Sequence, residues 1–407
     1  MPTNVNANTE EIIPSTFKYT ATMKFLLGQD VYDINAYSVK SIVVDSDYEN
    51  NNMPLVFVTA SISRKIIDLM VQNQDTGIII LDVKRCVNNS DMPDLFTDYV
   101  VDKFIYFISN DINKNDEQDY EGQNEGREDL FKIITVGLLS LDHVNKNKKV
   151  VNGVMTGKLS SMMYYLTKHL PVVIEPPTSN VSLNRVFIPP VNSTAKALEY
   201  LNSVKVFYDT SYRFFIDFDC SYLLSSKGRA VPRKGEHICN VLITLKSSYD
   251  ENSKIQGMII DEIQSTYKID IDSIDCELAD YHISDKSYSK VVATGTSGAS
   301  NNIQIESRSE SSPINEKTRA IRIKNDNTGI LNNMKSDIES SEIQLLVQKT
   351  DIDSSVLTMN KEYTIKADEV YKSSIYNGRY MLIRKREVLI REDDNFTMNT
   401  MLLFRKV

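Results

Sequence analysis

No C-x-x-C pair occurs in this chain, and Cys86, Cys220, Cys239 and Cys276 lie far apart. A zinc site draws closely spaced soft ligands from at least one turn, so the cysteines read as buried free thiols and no metal is expected. His143, His169, His237 and His282 are equally dispersed, without an H-E-x-x-H or H-x-H pattern. There is no P-loop, no G-x-S-x-G and no G-x-G-x-x-G, so the usual phosphate, acyl-transfer and dinucleotide signatures are missing. No apolar run reaches the length of a membrane span, and no membrane partner is expected. The N-terminal stretch MPTNVNANTEEII lacks a basic region followed by an apolar core. It reads as a polar tail over residues 1–15, on a chain that stays in the cytoplasm where it is made.

Positive charge is also short. Lys plus Arg number 46 against 55 acids, a net of −9 over 407 residues. Binding a phosphate backbone needs a concentrated positive field, so nucleic acid is not expected as a specific ligand. An acidic protein does suit DNA that only slides past. One weak basic segment, Arg379, Arg384, Lys385, Arg386 and Arg391, alternates with apolar residues and reads as the wet face of a strand. The rest is ordinary: 41% hydrophobic and 25% charged residues fit a globular chain long enough for two or three domains.

Periodicity divides the chain. Phe17, Tyr19, Ala21, Met23 and Phe25 alternate, the mark of a half-buried strand. Strands follow at 39–44, 55–62, 77–85 and 100–108, with a short helix from Ser63 to Val71 that sets Ile66, Ile67 and Met70 on one face. The acidic stretch 111–128 has almost no aliphatic residues and is expected to be a mobile insertion. Strand character resumes at 130–141. This first β-domain is assigned to residues 16–158. Leu159, Met162, Met163, Leu166 and Leu170 then mark one helix face, which Pro171 ends. A second helix, capped by Asn192 or Ser193, sets Ala195, Leu198 and Leu201 inward. Residues 159–229 are read as a small α/β domain. From 230 to 407 the chain is β again, with strands expected at 237–245, 258–263, 269–278, 319–324 and in the last thirty or so residues. No helix of note is expected after residue 224, and the Ser/Asn/Gly-rich segment 294–313 is expected to be flexible.

The stretch YRFFIDFDCSYLL, residues 212–224, carries the only candidate catalytic residues. Read as one strand, it sets Asp217 and Asp219 on the same face, ~6.6 Å apart along the chain. Such a pair could hold a divalent metal or work as acid and base. Residues 214–224 resemble the opening D-x-D of haloacid-dehalogenase-type phosphatases, and D-x-D also occurs in metal-dependent glycosyltransferases. The phosphatase chemistry further needs a distant Lys and a downstream acid pair on Mg²⁺. The only adjacent downstream acids are Asp393 and Asp394, with no G-D-x-x-x-D and no α/β alternation around the motif. A structural role is the stronger reading, with no catalytic, cofactor-binding or metal-binding residue assigned.

From His169 to Gly228 the chain resembles the middle domain of baseplate hub proteins of tailed bacteriophages. There, a Pro-Pro dipeptide leads into an A-L-x-Y-L-N helix, a tyrosine turn, and an F-F-x-D-F-D strand ending in Y-L-L. The matching residues here are Pro189-Pro190, then Ala197, Leu198, Tyr200, Leu201 and Asn202, then Tyr208, then Phe214 to Asp219 and Tyr222 to Leu224. The resemblance implies a mainly β fold in which two tail-tube-like β-barrel domains flank a small α/β middle domain. It implies a structural virion protein of the tail baseplate, assembled in the host cytoplasm, that uses no cofactor and is not an enzyme. It implies a homotrimer whose six tube-like domains continue a tail tube or distal-tail protein on one side. On the other side the ring holds a spike or tip protein, among other baseplate proteins, and DNA passes through its channel without specific binding. A tube or distal-tail protein is the alternative within the same machine, and a phosphatase or transferase using Asp217 and Asp219 the alternative outside it. Some hubs carry a C-terminal lysozyme or peptidase; no such segment is recognisable here, and a bare adaptor is expected.

Overall fold

The alternation that starts at Phe17 becomes strand β1 (Phe17–Leu27), with Phe17, Tyr19, Ala21, Met23 and Phe25 all buried on one face. The chain reverses through Gly28, whose φ of +62° suits glycine, into β2 (Asp30–Ile34). The structure, a computed structural model, describes residues 17–87, 96–108, 131–208, 212–226, 241–245, 257–260, 265–267, 279–284, 287–294, 302–308, 344–350, 357–366 and 377–407. The expected tail 1–15, the insertion 111–128 and the expected strands at 269–278 and 319–324 lie outside them.

The first unit continues with β3 (Val39–Asp47), β4 (Leu55–Ser63), α1 (Arg64–Gln72), β5 (Ile78–Val87), β6 (Phe96–Ile108), β7 (Phe131–Ser140) and α2 (Leu141–Lys148). Helix α1 buries Ile67 and Met70, as its spacing predicts. Helix α2 is not anticipated by periodicity, because LDHVNKNK has no apolar stripe. Its signals are polar. The Ser140 hydroxyl oxygen accepts from the His143 backbone N–H at 3.2 Å, and Asp142 in the first turn pairs with Lys146 in the last.

The middle unit comprises β8 (Gly153–Lys158), α3 (Leu159–Thr167), β9 (Val172–Ile174), β10 (Ser182–Ile188), α4 (Thr194–Val204), β11 (Tyr212–Ile216) and β12 (Ser221–Ser225). Strand β8 pairs with β10, so its hydrogen bonds tie it to this unit. Helix α3 buries Leu159, Met162, Met163 and Leu166. Helix α4 is capped by Ser193, which accepts from the Lys196 N–H at 3.2 Å. It buries Ala197 with Leu198 and Leu201, while Ala195 is only half-buried.

The last unit contains β13 (Val241–Leu245), β14 (Gly257–Ile260), β15 (Ser265–Tyr267), β16 (Ala279–Ser284), β17 (Ser287–Thr294), β18 (Asn302–Arg308), β19 (Gln344–Thr350), β20 (Tyr363–Lys366), β21 (Gly378–Glu392) and β22 (Asn395–Lys406). Among the described residues no helix follows α4. Strands β16, β17 and β18 form their own antiparallel sheet. Part of the expected flexible segment 294–313 is therefore β18, paired to β17 along its length. The short alternation N-I-Q-I was masked by the polar composition around it.

The hairpin of β21 and β22 joins the two β units. Toward its tip, Arg384 to Ile390 pair with Asp47 to Ser41 of β3, and Phe396 pairs with Tyr19 of β1. Toward its base, Tyr380 pairs with Tyr363 of β20, and Asn399 to Arg405 pair with β19. The pairings β21–β3–β4–β7–β6–β5–β1–β22, with β22 back on β21, close a ring of strands. Leu389, Phe396 and Met398 from the hairpin sit in the same core as Ile42, Val58, Phe104 and Val136. The first β unit is thus completed by residues from the far end of the chain.

Ring closure gives a testable expectation. A chain ending at residue 376 leaves the β1 and β3 edges open and removes three core side chains. Its β1 and β3 amides should then exchange with solvent far faster than in the full chain. Unchanged protection of both strands in a hydrogen-exchange experiment would show that the hairpin is dispensable.

Candidate functional site

The stretch YRFFIDFDCSYLL is not one strand. It folds back on itself as β11 and β12, with Tyr212 opposite Ser225 and Ile216 opposite Ser221. Asp217 to Cys220 form the turn, where the Asp217 N–H donates to the Cys220 carbonyl at 3.2 Å. The Asp217 carboxylate accepts from the Phe218 N–H at 2.9 Å. The expected placement of Asp217 and Asp219 on one strand face is therefore corrected. Aspartate favours turns because its side chain bonds nearby backbone N–H groups, and that preference overrides the apolar run around it.

The turn plugs the middle unit into both neighbours. Phe218 packs against the core of the first ring, and its ring lies 5.0 Å from that of His143 on α2. The Ile216 N–H donates to the Asn52 carbonyl at 2.8 Å, and Phe215 meets Tyr48 edge-on at 4.7 Å. Asp217 faces Lys385 and Glu387 of β21, while Asp219 is exposed. Lys385 Nζ stands 3.5 Å from Glu387 Oε1, and both side chains are largely buried. Burial pushes the Asp217 carboxyl up, against the pull of Lys385. Burial alone would lower the Lys385 ammonium, but Glu387, Asp217 and Asp219 together hold it above its ordinary value. Burial, and next Asp217, also push the Tyr48 phenol well up. One lysine thus draws on acids from two units.

The basic segment is corrected here as well. Only Arg379 and Arg386 are exposed. Arg384 Nε donates to Asp45 of β3 at 2.8 Å, and Arg391 lies 4.7 Å over the Tyr37 ring. Lys385 turns inward, so the strand uses its cations to bind its neighbours. A second ionic set lies where β11 meets β21. Arg213, 5% exposed, donates to the Leu382 carbonyl at 3.2 Å. Burial lowers its pKa to about 10 despite nearby Glu49 and Glu175. Glu49 itself pairs with Arg405 of β22 at 2.6 Å, and Glu175 accepts from the Ser225 N–H at 2.8 Å. These pairings bridge residues from 50 to 356 positions apart, and nothing local in the sequence announces them.

Among the described residues no three His, Cys, Asp or Glu side chains converge as metal ligands. Asp393 and Asp394, the downstream acids that a phosphatase would need, form the two-residue turn between Glu392 and Asn395 at the hairpin tip. Cys86 and Cys220 are buried thiols, and the Cys220 S–H donates to the Pro171 carbonyl at 3.0 Å.

Three substitutions separate the contributions. Phe218→Ala should destabilise the chain by about 2 kcal/mol, because the side chain is only partly buried. Lys385→Met strands buried carboxylates and should cost about 3 kcal/mol, whereas Asp217→Asn keeps the turn's acceptor and should cost less than about 1 kcal/mol. Urea unfolding checks the order, and a larger loss for Asp217→Asn than for Lys385→Met would refute the charge assignment.

His143 sets a pH dependence. Burial lowers its pKa to about 4, against Asp102 and Asp142, which raise it. The folded chain holds it neutral while the unfolded chain takes up a proton below about pH 6.5. Its stabilising contribution is therefore full above pH 6.5 and is lost as pH falls toward 4, up to about 3 kcal/mol. Asp217 acts in the opposite sense, since a raised carboxyl gains stability as pH falls. Comparing His143→Leu with the parent at neutral pH and near pH 5 isolates the histidine. Equal pH slopes for the two would overturn this account.

The family model described as "Bacteriophage PBS1 gene 109 protein" matches residues 10–407. No curated protein matches the sequence. Similar solved structures include the tail protein from Neisseria meningitidis MC58, with 13% identity over 95% of this chain and 96% of that one and a TM-score of 0.46. The 43 kDa tail protein of prophage MuSo2 from Shewanella oneidensis shows 10% identity over 95% of this chain and 97% of that one, with a TM-score of 0.48. An E. coli protein described as a component of the type VI secretion system shows 8% identity over 90% of this chain and 73% of that one, with a TM-score of 0.39. Because the family model spans nearly the whole sequence, the chain belongs to the family of the bacteriophage PBS1 gene 109 protein.

Proposed function

We propose that this chain is a structural subunit of a phage tail, the central baseplate hub that links the tail tube or distal-tail protein to the spike or tip. The observation that carries the reading is the shared hairpin: one chain offers two β units locked together by β21 and β22, with an α/β unit plugged between them. A phage family over nearly the full length supports the setting. In this reading the two β units are tail-tube-like domains, and a homotrimer presents six of them around one axis. Matching a three-fold assembly to a six-fold tube needs this doubling within each chain. The channel wall is polar and net acidic, so that DNA passes without binding, which the net charge of −9 allows. The particle is the virion tail, built in the host cytoplasm with other baseplate proteins.

Asp217 and Asp219 serve cohesion in this reading, not catalysis. The motive is their environment: a turn whose half-buried Asp217 carboxylate faces Lys385, which itself stands beside Glu387. Activity assays on phosphate esters and sugar nucleotides with Mg²⁺ or Mn²⁺ test it, and turnover that vanishes in Asp217→Asn would replace the hub with an enzyme.

Light scattering with and without the tube and spike partners, followed by imaging, tests the assembly. A hollow three-fold ring is expected. A chain that stays monomeric with its partners, or an assembly holding one β unit per six-fold position, would favour another tail component.

A further inference from the structure

Charge is not spread evenly along this acidic chain. Residues 141–208, which include α2, α3 and α4, hold eight Lys and Arg against three Asp and Glu, a net of +5. With −9 for the whole chain, the remaining residues carry −14. Four of the cations gather at one place. Lys148 and Lys149 stand at the end of α2, Lys168 directly follows α3, and Lys196 lies in the first turn of α4. All four side chains are exposed.

These three helix ends are held together around His169. Its Nε2 lies 2.9 Å from the Lys146 carbonyl and 3.2 Å from the Thr194 hydroxyl. Thr194 Oγ1 donates to the Lys149 carbonyl at 3.2 Å, and the Ala195 N–H donates to Asn147 Oδ1 at 3.3 Å. Asn147 and Ser193 thus occupy N–H groups that open α4, and the outward positive field comes from the lysine side chains. Lys168 Nζ rests 3.9 Å over the Tyr165 ring, which fixes its position. In the junction with β21 and β22, Arg384, Lys385 and Arg405 each meet a carboxylate. Among the described residues no carboxylate pairs with Lys148, Lys149, Lys168 or Lys196. The acids on these helices are Asp142, which pairs with Lys146, and Glu199, one turn beyond Lys196. They leave the patch positive.

We infer that this surface, where α2, α3 and α4 meet, docks a carboxylate-rich segment of another tail protein. A cationic patch on an otherwise acidic chain attracts an acidic partner and fixes where it lands. A long nucleic acid fits less well, because its phosphates run past the patch onto residues that hold −14 in total. A short acidic segment ends inside the patch. The inference rests on the hub reading for its setting, and it gives one partner of that hub a chemistry.

Calorimetric titration of the full chain with a short oligoglutamate peptide tests it. The double variant Lys149→Glu with Lys196→Glu is compared with Lys65→Glu on α1 as the control. Both patch substitutions spare the backbone bonds that hold the helix ends, and glutamate suits the first turn of α4. The peptide should bind the parent and Lys65→Glu alike, and more weakly as salt rises. The double variant should bind it about tenfold more weakly or worse. The His169 ring signal gives a second readout. Burial, with Lys149 and Lys168, holds its pKa down against the Lys146 carbonyl. A seated carboxylate should move that pKa up in the parent and not in the double variant. No binding to the parent, equal binding by the double variant, or tighter binding of a DNA oligonucleotide of the same charge would overturn the proposal. Assembly with the tube, spike and other baseplate proteins separates it from the hub reading. A three-fold ring on which every partner docks equally well in the double variant keeps the hub and removes the patch. Oligoglutamate bound at the patch of a chain that forms no ring keeps the patch and removes the hub.

Discussion

The register of one hairpin governs the molecule. Strands β21 and β22 pair with each other from Tyr380 opposite Lys406 to Glu392 opposite Asn395. Their outer edges are used twice, by β20 and β19 at the base and by β3 and β1 toward the tip. A shift of one residue would turn Leu389 and Phe396 out of the first core and bring Val388 in. Two β units cannot then move independently, because they share the same two strands. A bulge between Leu382 and Arg384 marks the change from one set of partners to the other.

That shared hairpin also explains where the charges lie. A β-hairpin crossing from one core to another must carry side chains that suit neither interior. In β21 these are Arg384, Lys385 and Glu387, and each is answered by a residue from another unit or from the strand itself: Asp45 for Arg384, and Asp217 and Glu387 for Lys385. Buried ion pairs add little net stability over apolar packing, yet removing one partner is expensive. The docking of the D-F-D turn against the hairpin sets Asp217 beside the Lys385–Glu387 pair, so that one cation serves two acids. Phe218 supplies the apolar part of the same docking by entering the first core beside His143.

Much of this fold could be read from the residues. The alternation in β1, the helix face Leu159, Met162, Met163 and Leu166, and the Ser193 cap all appear where local pattern puts them. Helix α2 was hidden because it is short and held by a cap and an ion pair instead of an apolar stripe. The D-F-D turn was hidden because its flanking strands are apolar on both faces: Phe214, Phe215 and Ile216 are all buried, so period-two alternation fails there. The ring closure was out of reach of any local pattern. Tyr19 and Phe396 meet across almost the entire chain, and only the third dimension brings them together.

Such closure has a consequence for how the chain becomes native. Non-local strand pairing is slow, because loop entropy must be lost before the contacts form. As synthesis proceeds from the N-terminus, β1 and β3 wait as open edges until the last strands emerge. The exposed edges are then a hazard for pairing with other chains. Charge at the places where the hairpin will land limits that hazard: Asp45 and Asp47 on β3, and Lys18 beside Tyr19 on β1, keep the waiting edges soluble. Asp45 later receives Arg384. The same carboxylate therefore protects the open edge and then recognises the strand that closes it.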